Sequence, residues 1–129
     1  MPKRVLIIDD EADICTVVQV ALEELAGWQT VTAGSGAEGL RLAQTVEVDA
    51  ILLDISMPDL DGFAIHQALQ QNPSTQGIPV VVFTSKVLAR DRARFATLNF
   101  AGVITKPFNP LTLAQQIATL LQWPLPTHP

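Results

Sequence analysis

Val5-Leu6-Ile7-Ile8-Asp9-Asp10-Glu11 is an apolar run that ends in acid, and Ala50-Ile51-Leu52-Leu53-Asp54 repeats the pattern further along the chain. Short runs of this kind read as strands buried on both faces, the habit of a parallel sheet. Each acid then emerges at the C-terminal end of its strand. Val80-Val81-Val82-Phe83-Thr84 and Gly102-Val103-Ile104-Thr105-Lys106 deliver a hydroxyl and an ammonium in the same way. In an open α/β sheet, ligands bind in the crevice beyond those carboxyl ends, so four distant segments are expected to converge on one site. Acids gathered there would repel one another and raise a pKa. A positive partner is therefore expected among them, and Mg2+ with a phosphoryl group is the natural candidate.

Between the strand-like runs the apolar spacing turns helical, which is the signature of repeated βαβ units. Glu11–Ala26 carries Ile14, Val17, Val18, Ala21, Leu22 and Leu25 on one stripe, with Gly27 as a stop signal. Gln29–Ala33 is a short second strand, and Gly34-Ser35-Gly36 leads into a helix from Ala37 to about Gln44. A helix burying Phe63, Ile65, Ala68 and Leu69 follows the Met57–Gly62 loop and ends near Pro73 and Gly77. The Ile78–Thr84 strand, a helix near Ala89–Leu98 and the Ala101–Ile104 strand come next. The final helix is expected from about Pro110 to Leu121, with Leu113, Ile117, Leu120 and Leu121 at core spacing. The expectation is an α/β fold of five strands and five helices.

A chain of 129 residues, 48% hydrophobic and 16% charged, suits one domain with a real core rather than a disordered segment. Eight Lys plus Arg against thirteen Asp plus Glu give a net charge of −5, which lacks the electrostatic footprint of nucleic-acid binding and favours a protein partner. Cys15, the one cysteine, has no partner for a disulfide and reads as a small core residue. No apolar stretch approaches the ~20 residues of a membrane span, so a cytoplasmic location is the default. Pro124, Pro126 and Pro129 punctuate a short C-terminal tail from residue 123 onward, which is expected to be extended, with Trp123 available to dock.

Asp9-Asp10-Glu11, Asp54-Ile55-Ser56-Met57-Pro58-Asp59-Leu60-Asp61-Gly62, Thr84-Ser85 and Lys106-Pro107-Phe108 together resemble the receiver domain of two-component response regulators. The four motifs stand in order and cover essentially the whole chain, so a receiver over residues 1–122 with a tail at 123–129, of the stand-alone type, is expected. The resemblance implies a flavodoxin-like, doubly wound parallel sheet of order 2-1-3-4-5. It also implies that Asp54 accepts a phosphoryl group from a histidine kinase or histidine phosphotransfer protein, with output through a downstream effector. Asp10 and Asp54 would be direct Mg2+ ligands, the Ser56 backbone carbonyl would complete the protein set, and Asp9 would act through water. Lys106, followed by a Lys106–Pro107 bond expected to be cis, would contact a phosphoryl oxygen. Thr84 would move toward the phosphoryl group and couple chemistry to the loop after the fourth strand. Ser56 and Lys86 occupy the positions that tune phosphoryl lifetime in this family.

The chain departs from the family at Val103, where an aromatic residue usually stands three places before the lysine; Phe100 is a possible substitute, with core packing as its expected role. Simpler readings stand beside these. Asp9 or Asp10 also suits a helix cap, Asp59 and Asp61 suit a turn beside Gly62, and Arg90, Arg92 and Arg94 suit a solvated face. His66 is read as occupying a polar helical position and His128 as lying in the tail, neither with a partner at ligand spacing. Two competing functions remain: a degenerate receiver that binds partners without phosphate, and a Mg2+-dependent aspartyl phosphatase. The phosphatase reading calls for an acid two residues after the nucleophile, where this chain has Ser56. The receiver reading is of a signalling domain rather than an enzyme with turnover.

Overall fold

The computed structural model describes residues 2–55, 62–85, 95 and 97–125. Five strands, β1 (Arg4–Ile8), β2 (Gln29–Ala33), β3 (Ala50–Leu53), β4 (Val80–Thr84) and β5 (Gly102–Thr105), form one parallel sheet in the order β2-β1-β3-β4-β5. Parallel neighbours need crossover connections rather than tight turns, and helices lie on both faces of the sheet. Alternation along each strand supplies both faces. Val5, Ile7, Leu52, Val81, Phe83 and Ile104 meet α1 (Ala12–Ala26) and α4 (Leu113–Leu121) on one side. Leu6, Ile8, Ile51, Leu53 and Val80 meet α2 (Gly36–Thr45) and α3 (Gly62–Gln71) on the other.

Local chemistry fixes the helix ends. Gly27 closes α1 in the left-handed region at φ 71, where an L side chain would be strained, and its N–H reaches the Glu23 carbonyl at 3.1 Å. Ser35 opens α2 by accepting the Glu38 N–H at 3.2 Å, which satisfies one of the helix's orphan donors. Gly62 opens α3 so close to the chain after β3 that a Cβ there would run into the Ile55 backbone. That approach seats the helix beside Asp54.

Several expectations need correction. Residues 110–112 form a turn and α4 begins only at Leu113, because Asn109 folds the chain back by accepting the Leu111 N–H at 2.9 Å on its side chain and the Thr112 N–H on its carbonyl. Val17 is 41% exposed and Leu120 37%, so the buried stripes of α1 and α4 are narrower than the spacing implied. His66 is buried, stacked on Phe100 with centroids 4.0 Å apart, although its neighbours in sequence made the position look polar. Phe100 itself packs with Phe63 and Phe95, in keeping with its expected core role. Trp123 stands edge-on to Trp28 at 5.3 Å, with the Lys3 ammonium 4.8 Å above its ring. The helix expected at 89–98 lies largely outside the described residues; Phe95 and Thr97, within it, are helical.

Candidate functional site

Strand register builds the site. β1 and β3 run with Ile8 opposite Leu53, so Asp9 and Asp54 leave the sheet side by side, and the Asp54 N–H is held by the Ile8 carbonyl at 2.9 Å. β4 and β5 run with Thr84 opposite Thr105, and the Lys106 N–H closes on the Thr84 carbonyl at 2.9 Å. Sliding β1 by one residue would drag Asp9 into the core or expose Ile8, at about 1.5–3 kcal/mol for the apolar side chain alone. The sheet's packing therefore sets the position of the charges.

Three carboxylates meet one ammonium beyond the strand ends. Lys106 Nζ donates to Asp9 Oδ2 at 2.6 Å, Asp54 Oδ2 at 3.2 Å and Glu11 Oε1 at 3.4 Å. The side chains of Asp9 and Asp54 are 0% and 3% exposed, that of Lys106 9%, and that of Glu11 60%. Asp9 Oδ1 also accepts the Glu11 N–H at 2.9 Å, so this acid caps the chain entering α1 as well as pairing with the lysine. The Lys106 ammonium lies over the Phe83 ring, 5.0 Å from its centroid, and Phe83 in turn packs against Phe108 at 5.1 Å. The Lys106–Pro107 bond is cis.

Burial pushes the Asp9 carboxyl up from its ordinary value, against the hydrogen bonds from Lys106 and the Glu11 backbone and the charge of Lys106. Burial alone would lower Lys106, but the Asp9 hydrogen bond and the charges of Asp54 and Asp9 outweigh it and hold the ammonium above its ordinary value. The buried cation therefore stays protonated through the neutral range. Cys15 lies beneath, its thiol donating to the Asp9 carbonyl at 3.3 Å, and burial followed by the nearby Asp9 charge pushes its pKa to about 11. It is a core thiol without nucleophilic character.

Ligand atoms of Asp9, Glu11 and Asp54 all lie within 4.8 Å of one another. Among the described residues they leave two negative charges unbalanced against the Lys106 ammonium, and every donor is a carboxylate oxygen. That set fits a hard dication such as Mg2+. Asp10 is exposed and shares with Asp9 a hollow of about 240 Å³ between the start of α1 and the end of β2. Thr84 is fully buried at the end of β4. Ser56, Asp59, Asp61, Lys86 and the three arginines lie outside the described residues. Val103, in β5, is half-buried and lines a hollow of about 570 Å³ with α4. The sequence reading missed Glu11 as a member of the cluster. Its place directly after two acids at a strand end was the available signal.

Residues 5–118 match the family model described as the response regulator receiver domain. The chain is 33% identical over 122 residues to the alkaline phosphatase synthesis transcriptional regulatory protein PhoP of Bacillus subtilis, covering 95% of this chain and 50% of that one. It is 33% identical over 119 residues to the DNA-binding dual master transcriptional regulator RpaA of Synechocystis, covering 92% and 49%. It thus spans about half the length of these curated relatives. Among solved structures, the chemotaxis protein CheY4 of Vibrio cholerae superposes with a TM-score of 0.86 at 28% identity, over 93% of this chain and 99% of that one.

Proposed function

Because the chain belongs to the response regulator receiver domain family, we propose that Asp54 accepts a phosphoryl group from a phosphohistidine on a histidine kinase or phosphotransfer protein, and that acceptance changes which proteins the domain binds. The observation that carries this reading is the buried Asp54 carboxylate held 3.2 Å from a buried ammonium at the open end of the sheet. An Asp54 oxygen forms the new O–P bond as the P–N bond to the donor imidazole breaks, and the bonding pair returns to the ring nitrogen. Such a transfer asks mainly for positioning and for cations near the phosphoryl oxygens. Lys106 supplies one, as a compact charge set over the Phe83 ring.

Mg2+, held by Asp10, Asp54 and the Ser56 carbonyl with Asp9 through water, would neutralise phosphoryl charge and orient the donor. Asp9 keeps Lys106 anchored while Asp54 changes from carboxylate to acyl phosphate. Thr84, one strand over and level with Thr105, supplies the hydroxyl that reports the change to the loop after β4. The output is a protein contact. The relatives are named as transcriptional regulators, but the net charge of −5 gives this chain no electrostatic basis for holding DNA by itself.

Intact mass after incubation with Mg2+ and acetyl phosphate tests the reading. One phosphoryl adduct is expected in the wild type, with none in Asp54→Ala and none without Mg2+. Multiple turnovers of a small phosphomonoester would support the phosphatase reading instead. A protein that neither takes up phosphoryl nor binds beryllofluoride with Mg2+ would be a phosphate-independent module.

A further inference from the structure

We infer that Glu11 is the exchangeable acceptor for Lys106, the partner this ammonium releases when a phosphoryl oxygen arrives, an inference that rests on Asp54 being the acceptor. An ammonium has three N–H donors, and Lys106 already faces three carboxylates, those of Asp9, Asp54 and Glu11. A phosphoryl oxygen reaching the same ammonium must displace one of them. Asp9 is fully buried, makes the shortest contact and also holds the Glu11 N–H. Asp54 faces the ammonium with Oδ2 and keeps that contact when its other carboxylate oxygen takes the phosphoryl group. Glu11 makes the longest contact, 3.4 Å, from a carboxylate that is 60% exposed, so releasing it into water costs least.

The backbone leaves Glu11 free for this role. It stands at the N-cap of α1 in extended conformation, yet its side chain makes no capping hydrogen bond. A Ser or Asp there would be expected to fold back on the helix. The longer glutamate instead reaches across to the lysine. While it does so, it both occupies an N–H donor and adds negative charge where an anionic phosphoryl group must enter, so Glu11 acts as a brake on occupancy of the site. It is a positioning residue acting through Lys106.

Calorimetric titration of beryllofluoride at saturating Mg2+, on the wild type and Glu11→Gln, separates the possibilities. Glu11→Gln is expected to tighten beryllofluoride binding about two- to five-fold, the range of one exposed ion pair, while Mg2+ alone binds equally or more weakly. Glu11→Asp, which keeps the charge but shortens the reach, is expected to move beryllofluoride affinity in the same direction by less. Unchanged or weaker beryllofluoride binding in Glu11→Gln, with normal binding in the wild type and an unaltered thermal midpoint, would overturn the inference while leaving Asp54 as acceptor. A wild type that binds no beryllofluoride would overturn both.

Discussion

At the amino end of the sheet Arg4 spreads its guanidinium over the Gln29 side chain and the Glu47 carbonyl within reach of water, whereas at the carboxyl end Lys106 is nine-tenths hidden against Asp9 and Asp54. Each is a cation set where a strand begins or ends. The first costs little because water solvates whatever the protein leaves unmet. The second takes charge out of water, where it is tolerated only if paired and hydrogen-bonded. The amino end also gathers apolar staples, Trp28 against Trp123 with Lys3 above, while the carboxyl end gathers acids. Ring contacts are thus gathered at one end and buried charge at the other.

The sharpest way to break this contrast is Lys106→Met. It takes the ammonium away from two buried carboxylates, and the loss is expected to be about 3 kcal/mol at neutral pH, the low end for a broken buried pair because Asp9 is already inclined to take a proton. The sign of the pH dependence follows from the shifts. The Lys106 pKa is raised by folding, so its contribution is present below 10.5 and is lost as pH rises past it. In Lys106→Met that part of the alkaline decline should vanish, leaving the decline that comes from Cys15, whose thiol folding pushes from its ordinary 9.0 to about 11. Urea unfolding in chelator across the alkaline range reads both. Equal alkaline slopes in the two proteins would sink the assignment.

Trp123→Ala attacks the other end and is expected to cost about 1–2 kcal/mol, from the lost edge-to-face contact and part of its apolar area. Its mass adduct with acetyl phosphate and Mg2+ should be unchanged, since it lies at the opposite end of the sheet from Asp54. A lost adduct in a folded Trp123→Ala protein would show that the two ends are coupled. Smaller again, Asp54→Asn is expected to leave metal-free stability unchanged or raise it by up to about 1 kcal/mol, because one of three crowded carboxylates is neutralised while Lys106 keeps Asp9. A large destabilisation would mean that Asp54 is held for structure.

The sheet was legible because its strands are uninterrupted apolar runs, and a run such as Ile51–Leu53 has no other stable place than between two helical layers. The meeting of Asp9, Asp54 and Lys106 was legible for the same reason: each follows its strand directly, so strand order and register dictate the convergence. Glu11 escaped notice because its position depends on the backbone path into α1, which strand logic does not reach. His66 escaped because its burial comes from Phe100, far along the chain, and from a contact with the Asn99 backbone that no local period announces. Leu120 was placed inward by spacing alone, but its side chain covers Gly102 at the sheet's edge, where a Cβ would stand 2.6 Å from it. Period locates a stripe. How wide that stripe is depends on what lies across from it.

The smallest expected effect is the most exacting for the contrast between the two ends. Arg4→Met removes contacts at 2.7 and 3.0 Å to the Gln29 side-chain oxygen and at 3.1 Å to the Glu47 carbonyl, all neutral acceptors near solvent. Its backbone N–H still reaches Asp49, and the methionine stem keeps much of the packing. The loss should stay under about 1 kcal/mol. It should also be insensitive to salt between low and high ionic strength, because no ion pair is broken. The measurement is the difference in urea midpoint between wild type and variant at two salt concentrations. If Arg4→Met proved as costly as Lys106→Met, access to water would not be what separates the two cations. The carboxyl-end lysine would then lose its claim to be an expensive group kept in place for chemistry.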